Sequence, residues 1–208
     1  MDRERSLARV VAHLMGDGCV TKRYLAYYNK NKYLLNNFKA HFSNIFGEVH
    51  FIHGKVNSGT SLVQVQNKKI LNYLKNLCGD FRSHFLEFPS FVNNFELKSE
   101  FIGAIFDDEG CVALRVFRKT GEIKRNLTIS SNSLRFLEKI KEILEREFNI
   151  KCNKISKYVK KVGTNEFTNY VLGVTGKENF VRFKEKINFI HPEKIEKLDR
   201  MINSYIRK

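Results

Sequence analysis

Two acidic residues in matching surroundings are the strongest chemical feature of the sequence. Asp17 and Glu109 stand 92 residues apart, and each opens the same acid-Gly-Cys-Val pattern after an apolar segment. The C-terminal end of a helix carries partial negative charge, so a carboxylate there is repelled unless a cation joins it. Carboxylate oxygens are ligands that Mg²⁺ prefers, and bound Mg²⁺ can activate water next to a phosphodiester. The pair therefore predicts a divalent-metal site for phosphodiester hydrolysis.

The acids directly before Glu109 have a different expected role. The stretch FIGAIFDDEGCV contains Asp107 and Asp108. In the register of the repeat, Glu109 aligns with Asp17, whereas Asp108 aligns with Gly16. We therefore expect the side chains of Asp107 and Asp108 to be solvated, with the backbone carbonyls at Gly16 and Asp108 available as further metal ligands. One Asp-Gly pair alone is typical of a turn, but its repetition in a matched context favours the metal site.

Small residues precede both acids and predict how the acids are brought together. Ala8 and Ala12 lie in the first apolar segment, and Gly103 and Ala104 lie in the second. Small side chains let two helices approach more closely than the usual 8–10 Å between axes. We expect these helices to pack side by side, so that pseudo-twofold symmetry brings their C-terminal ends and both acids together.

The segments that follow each acid repeat as well. Two short alternating segments, an amphipathic helix, two more strands and a second helix follow Asp17, and the same order follows Glu109. The predicted fold is α+β, with two pseudo-symmetric αββαββα repeats at residues 1–90 and 91–208, each containing a four-stranded antiparallel sheet. Pro192 suits the first turn of a final helix. The first hairpin is longer in the second repeat, so the repeats are not identical.

The composition favours a polyanionic partner. The chain has 208 residues, 42% of them hydrophobic, and a net charge of +15. Such a charge favours nucleic acid through counterion release, and a merely soluble basic surface or a ribosome-associated protein is the alternative. No apolar run is long enough for a membrane span, and the N-terminus has no signal-peptide core. We expect a prokaryotic cytoplasm or nucleoid, or an organelle matrix.

The remaining motifs exclude other chemistries. The cysteines are widely separated and form no CxxC pair, which argues against a zinc ribbon and favours small, buried, reduced thiols. The histidines form no HxxxH or His-Asn-His cluster, and the sequence contains no GxxxxGK[ST] phosphate loop.

The two acidic motifs resemble those of a known family. VVAHLMGDG at Val10–Gly18 and IGAIFDDEG at Ile102–Gly110 are similar to the paired LAGLIDADG motifs of single-chain homing endonucleases. The resemblance covers nearly the whole chain and implies a monomer whose sheets form a DNA-binding saddle, with the motif helices at its centre. It implies a staggered double-strand cut in a long asymmetric DNA site. It also implies that Asp17 and Glu109 bind Mg²⁺, that Mn²⁺ substitutes, and that Ca²⁺ supports binding without efficient cleavage.

The resemblance also implies helper residues and one departure. Asn31, Asn132 and Lys194 are expected to order water or offset charge near the metals, although helix capping is an equal alternative for both asparagines. His13 stands where the family usually has an apolar residue, and we expect it to be packed rather than a ligand. No splice-junction signature is visible, so we expect a free-standing chain.

Strand alternation predicts which side chains read DNA. A two-stranded ribbon can enter the major groove, where Arg suits guanine and Gln suits adenine. The predicted base-reading or sheet-face residues are Arg115, Asn126, Thr128, Ser130, Gln64 and Gln66. The predicted phosphate contacts are Lys30, Lys32, Lys157, Lys160 and Lys161. An ordinary solvated sheet face is the alternative.

Two other functions fit parts of this pattern. A non-cleaving maturase that binds intron RNA on the same scaffold would share the fold and the charge. The two retained carboxylates favour cleavage, because a pure binder does not need them. A DNA-binding regulator is disfavoured because no helix-turn-helix is evident.

Overall fold

The computed structural model describes residues 2–56, 59–117, 119–163 and 165–205, without the side chains of Val162 and Asn165. The chain divides into two compact units, Met1–Asp108 and Glu109–Lys208. The repeat boundary predicted after residue 90 stays a prediction. The turn expected at Asn57-Ser58 and the last apolar position expected in the final helix, Ile206, lie outside the described residues.

The first unit follows the predicted order of elements. Its helices are α1 (Arg3–Met15), α2 (Lys32–Phe46), α3 (Lys68–Cys78) and α4 (Phe95–Glu109), the last of which ends in the first residue of the second unit. Its strands are β1 (Gly18–Val20), β2 (Leu25–Asn29), β3 (Ile52–Lys55) and β4 (Ser61–Val65). A 3-10 turn at Ser83–Phe85 lies between α3 and α4.

The strands of the first unit form an antiparallel sheet in the order β1-β2-β4-β3. Leu25 and Tyr27 on β2 pair with Val65 and Val63 on β4, and all four side chains are buried. Phe38 of α2 packs on the ring of Tyr27, with 4.9 Å between ring centroids. The core of this unit therefore lies between its helices and one face of its sheet.

The second unit repeats this order with longer strands. Its strands are β5 (Gly110–Val116), β6 (Ile123–Ser131), β7 (Ser156–Val162) and β8 (Asn165–Val174), paired antiparallel in the order β5-β6-β8-β7. Its own helices are α5 (Leu134–Arg146), α6 (Lys177–Lys186) and α7 (Pro192–Asn203). The predicted α+β architecture of two repeats with four-stranded antiparallel sheets is confirmed for the described residues.

Local sequence signals explain where these helices begin. The side chain of Asn31 caps α2 by accepting from the Tyr33 amide at 2.8 Å. The cap of α5 is Ser133, which accepts from the Phe136 amide. Such caps satisfy backbone donors that have no partner inside the helix. Pro192 is the first residue of α7, as predicted.

The buried faces follow the predicted alternation. In β6, Leu127 and Ile129 are buried, whereas the alternate residues Asn126, Thr128 and Ser130 are partly exposed. In β4, Val63 and Val65 are buried on the face opposite Gln64. Among the described residues, no helix has the length and apolar character needed to cross a bilayer.

Candidate metal centre and nucleic-acid interface

Asp17 lies in a short bend between α1 and β1. Helix α1 ends at Met15, and β1 opens at Gly18. The Asn29 side chain donates from Nδ2 to Asp17 Oδ2 at 3.2 Å, and the Tyr28 amide donates to the Asp17 carbonyl at 3.0 Å. The partly exposed carboxylate is therefore held at the start of the sheet by the end of β2.

Glu109 occupies the corresponding point in the second unit. It is the last residue of α4, is partly buried, and is followed directly by Gly110, the first residue of β5. Gly110 pairs with Ile129 of β6, as Gly18 pairs with Tyr27 of β2. Each acid thus directly precedes the glycine that opens the first strand of its unit.

The side chains of Asp107 and Asp108 are buried, so the prediction that they are solvated was wrong. Both side chains are 0% exposed. Asp107 lies 3.6 Å from the Arg9 guanidinium, and Asp108 lies 2.9 Å from His13 Nδ1. The Arg9 cation of α1 therefore offsets part of the negative charge at the end of α4, and His13 of α1 contacts Asp108.

Arg9 is the cation at the centre of this arrangement. Its side chain is 7% exposed, and it binds Glu100 through Nε at 3.0 Å and Nη2 at 2.6 Å. Its third nitrogen, Nη1, faces Asp107. A buried charge is tolerated only when it is paired, and Arg9 meets carboxylates on two turns of α4.

His13 is neutral and packed. Burial, and secondarily the charge of Arg9, lower its pKa from 6.5 to about 3. The Nδ1–H tautomer of a neutral imidazole can donate to Asp108 Oδ2, whereas Nε2 is buried and has no hydrogen-bond partner among the described residues. The His13 ring packs on Tyr27, with 4.8 Å between centroids. The expectation that His13 is packed agrees with this position.

Tyr27 and Asn29 complete the group around Asp108. Tyr27 Oη donates to Asp108 Oδ1 at 2.7 Å, and Asn29 Nδ2 lies 3.1 Å from Tyr27 Oη. Burial, followed by the charge of Asp108, raises the pKa of Tyr27, so its hydroxyl keeps its proton. A Cβ on Gly16 would lie 2.8 Å from the Asp108 Cβ, so only glycine fits at the end of α1.

The predicted helper residues have different local roles. Asn31 caps α2, which agrees with the capping alternative. Asn132 directly precedes Ser133, and Ser133 is the residue that caps α5. The prediction that Asn132 caps this helix was therefore wrong, because the cap is the next residue in the sequence. Lys194 lies in the first turn of α7, with Nζ 5.9 Å from the centroid of the Phe189 ring.

The register of the second sheet defines an outer face, opposite the buried Leu127 and Ile129. Because cross-strand partners share a face, the pairing of β5 to β8 assigns each side chain to one side. The polar, basic and aromatic residues of the outer face are Arg115, Lys124, Asn126, Thr128, Ser130, Tyr158, Lys160, Phe167 and Asn169.

Two of the predicted lysines lie on the other face of that sheet. Lys157 pairs with Tyr170, and Lys161 pairs with Glu166, to which it forms a 2.8 Å ion pair. Both therefore lie on the side of the buried residues, whereas Lys160 lies on the outer face. Alternation along β7 imposes this division, because successive side chains point to opposite faces.

The predicted contacts of the first unit are also divided. Gln64 lies on the face opposite Val63, and Gln66 is exposed just beyond β4. Lys30 is exposed between β2 and α2. Lys32 opens α2 and lines a cavity of about 420 Å³ between that helix and strands β3 and β4. Lys32 therefore lies on the helix-covered side of its sheet.

The donor set suits a hard cation bound by few protein ligands. Within the described part of the chain, no three His, Cys, Asp or Glu side chains are grouped so as to hold a metal. Mg²⁺ is commonly held by one or two carboxylates together with waters and substrate phosphates. The partly exposed carboxylate of Asp17, fixed by an amide donor, fits such a site. The free thiols are not grouped, and Cys111 is exposed, contrary to the expectation of buried thiols.

Comparison with known protein families gives a match in the second half of the chain. Residues 96–188 match the family model of the LAGLIDADG-like domain. The match covers 93 of the 208 residues and shows that this part of the chain is similar to the LAGLIDADG-like domain. The match begins in α4 and extends through the strands and helices of the second unit as far as the end of α6. The family resemblance of the motif at Ile102–Gly110 is thereby confirmed.

Solved structures extend the likeness to both units. A structure of variants of the homing endonuclease I-DmoI has a TM-score of 0.64 at 15% identity and covers 96% of this chain and 100% of that one. I-DmoI in complex with DNA and Mn has a TM-score of 0.61 at 15% identity, covering 89% and 97%. Full-length DUF199/WhiA from Thermatoga maritima has a TM-score of 0.62 at 13% identity, covering 98% and 61%. These likenesses establish the LAGLIDADG fold.

One curated protein is similar in sequence. The glutamine–fructose-6-phosphate aminotransferase (isomerizing) of Methanocaldococcus jannaschii is 24% identical over an alignment 208 residues long, which covers 95% of this chain and 17% of that protein. The chain therefore spans about a sixth of the relative's length.

Sequence reasoning missed several residues of the candidate site. Asn29, Tyr27 and the side chain of Asp108 were not predicted, because their contacts join positions far apart in the chain. Lys124 was missed because β6 begins at Ile123, before the stretch RNLTISS that was expected to form the strand. If the alternation of side chains along β6 is followed back to Ile123, Lys124 falls on the same face as Asn126 and Thr128 and pairs with Arg115.

Proposed function

We propose that the chain is a divalent-metal-dependent endonuclease that cuts both strands of a long asymmetric DNA site and leaves staggered ends. Asp17 and Glu109 hold the metal ions, with the backbone carbonyls at Gly16 and Asp108 as further ligands. Mg²⁺ is the physiological ion, Mn²⁺ substitutes for it, and Ca²⁺ supports binding without efficient cleavage. The protein acts as a monomer, because one chain supplies both acids.

The equivalent position of the two acids carries this proposal. Glu109 is the last residue of α4, Asp17 lies two residues beyond the end of α1, and each directly precedes the glycine that opens the first strand of its unit. The Asp108 side chain lies close to Gly16. Asp108 directly precedes Glu109 in the sequence, and Gly16 directly precedes Asp17. A carboxylate at a helix C-terminus is unfavourable without a nearby cation, so two at equivalent points indicate a common ligand.

The metal proposal is supported by the known structures of the same fold. I-DmoI complexes with DNA have been determined with Mn, in the presence of Mg, and with Ca. When bound, a divalent cation supplies the Lewis acidity that activates water and stabilises the leaving oxygen. In this chain Asn29 orients the Asp17 carboxylate, and Asn31, Asn132 and Lys194 are proposed to order water or offset charge.

The outer faces of the two sheets are proposed to contact DNA. On the second sheet, Arg115 is exposed opposite Lys124, and Asn126, Thr128 and Ser130 continue the same face. Arg115 suits guanine in the major groove, and Gln64 and Gln66 of the first unit suit adenine. Of the predicted phosphate set, Lys160 lies on this outer face and Lys30 is exposed between β2 and α2, so these two are proposed to position the DNA backbone without reading sequence. Lys32, Lys157 and Lys161 lie on the other sides of their sheets and are not assigned to this surface.

Removing one charge at each acid tests the proposal. Asp17→Asn and Glu109→Gln should abolish cutting of DNA selected by the wild-type protein from a randomised library in Mg²⁺. Binding of the same DNA in Ca²⁺ should persist, because the sheet contacts remain. Asp80→Asn and Glu142→Gln are matched controls at surface acids and should cut like the wild type.

Two results would overturn this function. Wild-type cutting by either acid variant would remove its residue from the metal site. Full cutting in EDTA would exclude dependence on a divalent cation. Both measurements use the same selected DNA and the same product assay, so loss of folding is separated from loss of chemistry by the binding measured in Ca²⁺.

A second function has one specific observation in its favour. Tyr158 and Phe167 lie on the outer face of the second sheet beside Lys160, and their side chains are 59% and 52% exposed. Exposed aromatic rings next to basic residues suit stacking on unpaired bases, as in RNA recognition. An RNA-binding maturase would therefore bind a structured intron RNA more tightly than duplex DNA in direct competition, and preference for duplex DNA would exclude it.

A further inference from the structure

A continuous set of hydrogen bonds leads from the interior of the first unit to Asp17. His13 Nδ1 meets Asp108 Oδ2 at 2.9 Å, and Tyr27 Oη donates to Asp108 Oδ1 at 2.7 Å. Asn29 Nδ2 then contacts Tyr27 Oη at 3.1 Å and donates to Asp17 Oδ2 at 3.2 Å. The side chains of His13 and Asp108 are 0% exposed, so water does not compete for the bond between these two residues.

The orientation of the Asn29 amide is fixed from both sides. Its Oδ1 accepts from the Asn31 amide at 2.9 Å, so its Nδ2 must face the acids. Nδ2 carries two hydrogens and lies near Asp17, Tyr27 and, at 3.5 Å, Asp108. The Asn29 donor therefore stays aimed at Asp17 only while Tyr27 and Asp108 keep their own positions.

Packing leaves this set little freedom to rearrange. The ring of Tyr27 lies between His13 and Phe38, with centroids at 4.8 Å and 4.9 Å. Asp108 lies against the end of α1, where a Cβ on Gly16 would already be too close. A polar group that is buried, hydrogen-bonded and closely packed keeps its geometry better than a polar group on a flexible surface.

We propose that His13, Tyr27 and Asp108 are positioning residues that fix the carboxylate of Asp17 for its cation through Asn29. This inference rests on the proposed function, because it assumes that Asp17 is a metal ligand. Groups that orient a ligand from behind commonly change metal affinity by about 10-fold to 100-fold when they are removed. His13 thus has a use that the apolar residue expected at its position would not provide.

Tyr27→Phe is the most direct test, because it removes only the hydroxyl and leaves the ring between its neighbours. Binding of Mn²⁺ to the full chain, followed by electron paramagnetic resonance, should be about 10-fold weaker than for the wild type. Tyr73→Phe, at a half-exposed tyrosine on α3, is the matched control and should bind Mn²⁺ like the wild type. Asp17→Asn gives the signal expected when the ligand itself is lost.

His13 supplies a second pair of variants. Asparagine can place its Nδ2 near the position of the imidazole Nδ1, whereas leucine has no donor. His13→Asn should therefore retain most of the Mn²⁺ affinity, and His13→Leu should lose about as much as Tyr27→Phe. If His13 acted only through packing, the Mn²⁺ affinity would not depend on whether the new side chain can donate a hydrogen bond. The comparison of His13→Asn with His13→Leu therefore separates positioning from packing.

The outcomes distinguish this inference from the function on which it rests. Wild-type Mn²⁺ affinity in Tyr27→Phe, or equal affinities of His13→Asn and His13→Leu, would overturn the positioning role and leave the metal site intact. Equal Mn²⁺ binding by the wild type and Asp17→Asn would overturn the metal site, and this inference with it. Weaker Mn²⁺ binding by Tyr27→Phe and His13→Leu, with near wild-type binding by His13→Asn and Tyr73→Phe, supports the proposal.

Discussion

The ion pairs between α1 and α4 allow a stability prediction with a defined size. Arg9→Met keeps the length and the apolar stem of the side chain but removes its charge. Asp107, which is 0% exposed, then loses the guanidinium at 3.6 Å, and Glu100 loses contacts at 2.6 Å and 3.0 Å. The variant therefore removes the Arg9 charge from beside a fully buried acid.

The expected loss follows from the burial of the acid. Removing one partner of a buried pair costs about 3–5 kcal/mol, mostly because the remaining charge stays buried. Glu100 contributes less to this loss, because its side chain is 26% exposed and can be solvated. We expect Arg9→Met to lower the free energy of unfolding by about 3–5 kcal/mol. Arg9→Met with Asp107→Leu should recover all but about 1 kcal/mol, since an apolar pair can replace a buried ion pair.

Urea unfolding followed by circular dichroism measures this difference. Arg146→Met is the matched control, because Arg146 makes a 3.1 Å ion pair with Glu142 but is 78% exposed. Exposed pairs contribute about 0–1 kcal/mol, so this variant should unfold almost like the wild type. Equal losses for Arg9→Met and Arg146→Met, or no recovery in the double variant, would refute the assignment of Arg9 as the counter-ion of a buried acid.

Two further predictions concern pH and close backbone contacts. Burial, and then the charge of Arg9, lower the pKa of His41 from 6.5 to about 4. The unfolded chain therefore binds more protons than the folded one between these values, and stability should fall as the pH falls from about 6.5 to about 4. His41→Gln should reduce this slope in urea unfolding at several pH values, with His13 supplying the slope that remains, and an unchanged slope would contradict the cause. Gly18→Ala would place a Cβ 2.5 Å from the backbone of Leu14, so it should cost about 1–3 kcal/mol by the same assay. Gly54→Ala meets only a flexible side chain at 3.3 Å and should cost less than about 0.5 kcal/mol; equal costs would contradict the steric argument.

The order of elements could be predicted because each element carries its own periodicity. The apolar positions of α2 and the alternation of β6 are local patterns, and both predicted faces are buried as expected. The acids of the motifs were recognised because their surroundings repeat. Asn31 caps its helix in agreement with one of its two predicted roles, and the α+β repeat fold and the family resemblance were confirmed.

The rest depends on contacts that no local pattern contains. Asp107 and Asp108 were expected in solvent, because their sequence neighbourhood does not show that Arg9 and His13 face them from α1. The faces of Lys157 and Lys161 depend on the pairing of β7 with β8, which the stretch NKISKYV alone does not define. Asn132 and Ser133 were confused because both are good caps, and a shift of one residue is within the uncertainty of a helix start.

The charges on the two motif helices differ in a way that bears on how the repeats pair. In the contacts described for the first unit, α1 presents Arg9 and His13, whereas α4 presents Glu100, Asp107 and Asp108. Two copies of α4 brought together would bury like charges, and two copies of α1 would leave Arg9 without a carboxylate; both arrangements are costly. Only α1 against α4 satisfies every one of these pairs. The buried acids of α4 therefore favour pairing of α4 with α1 over pairing of two like helices.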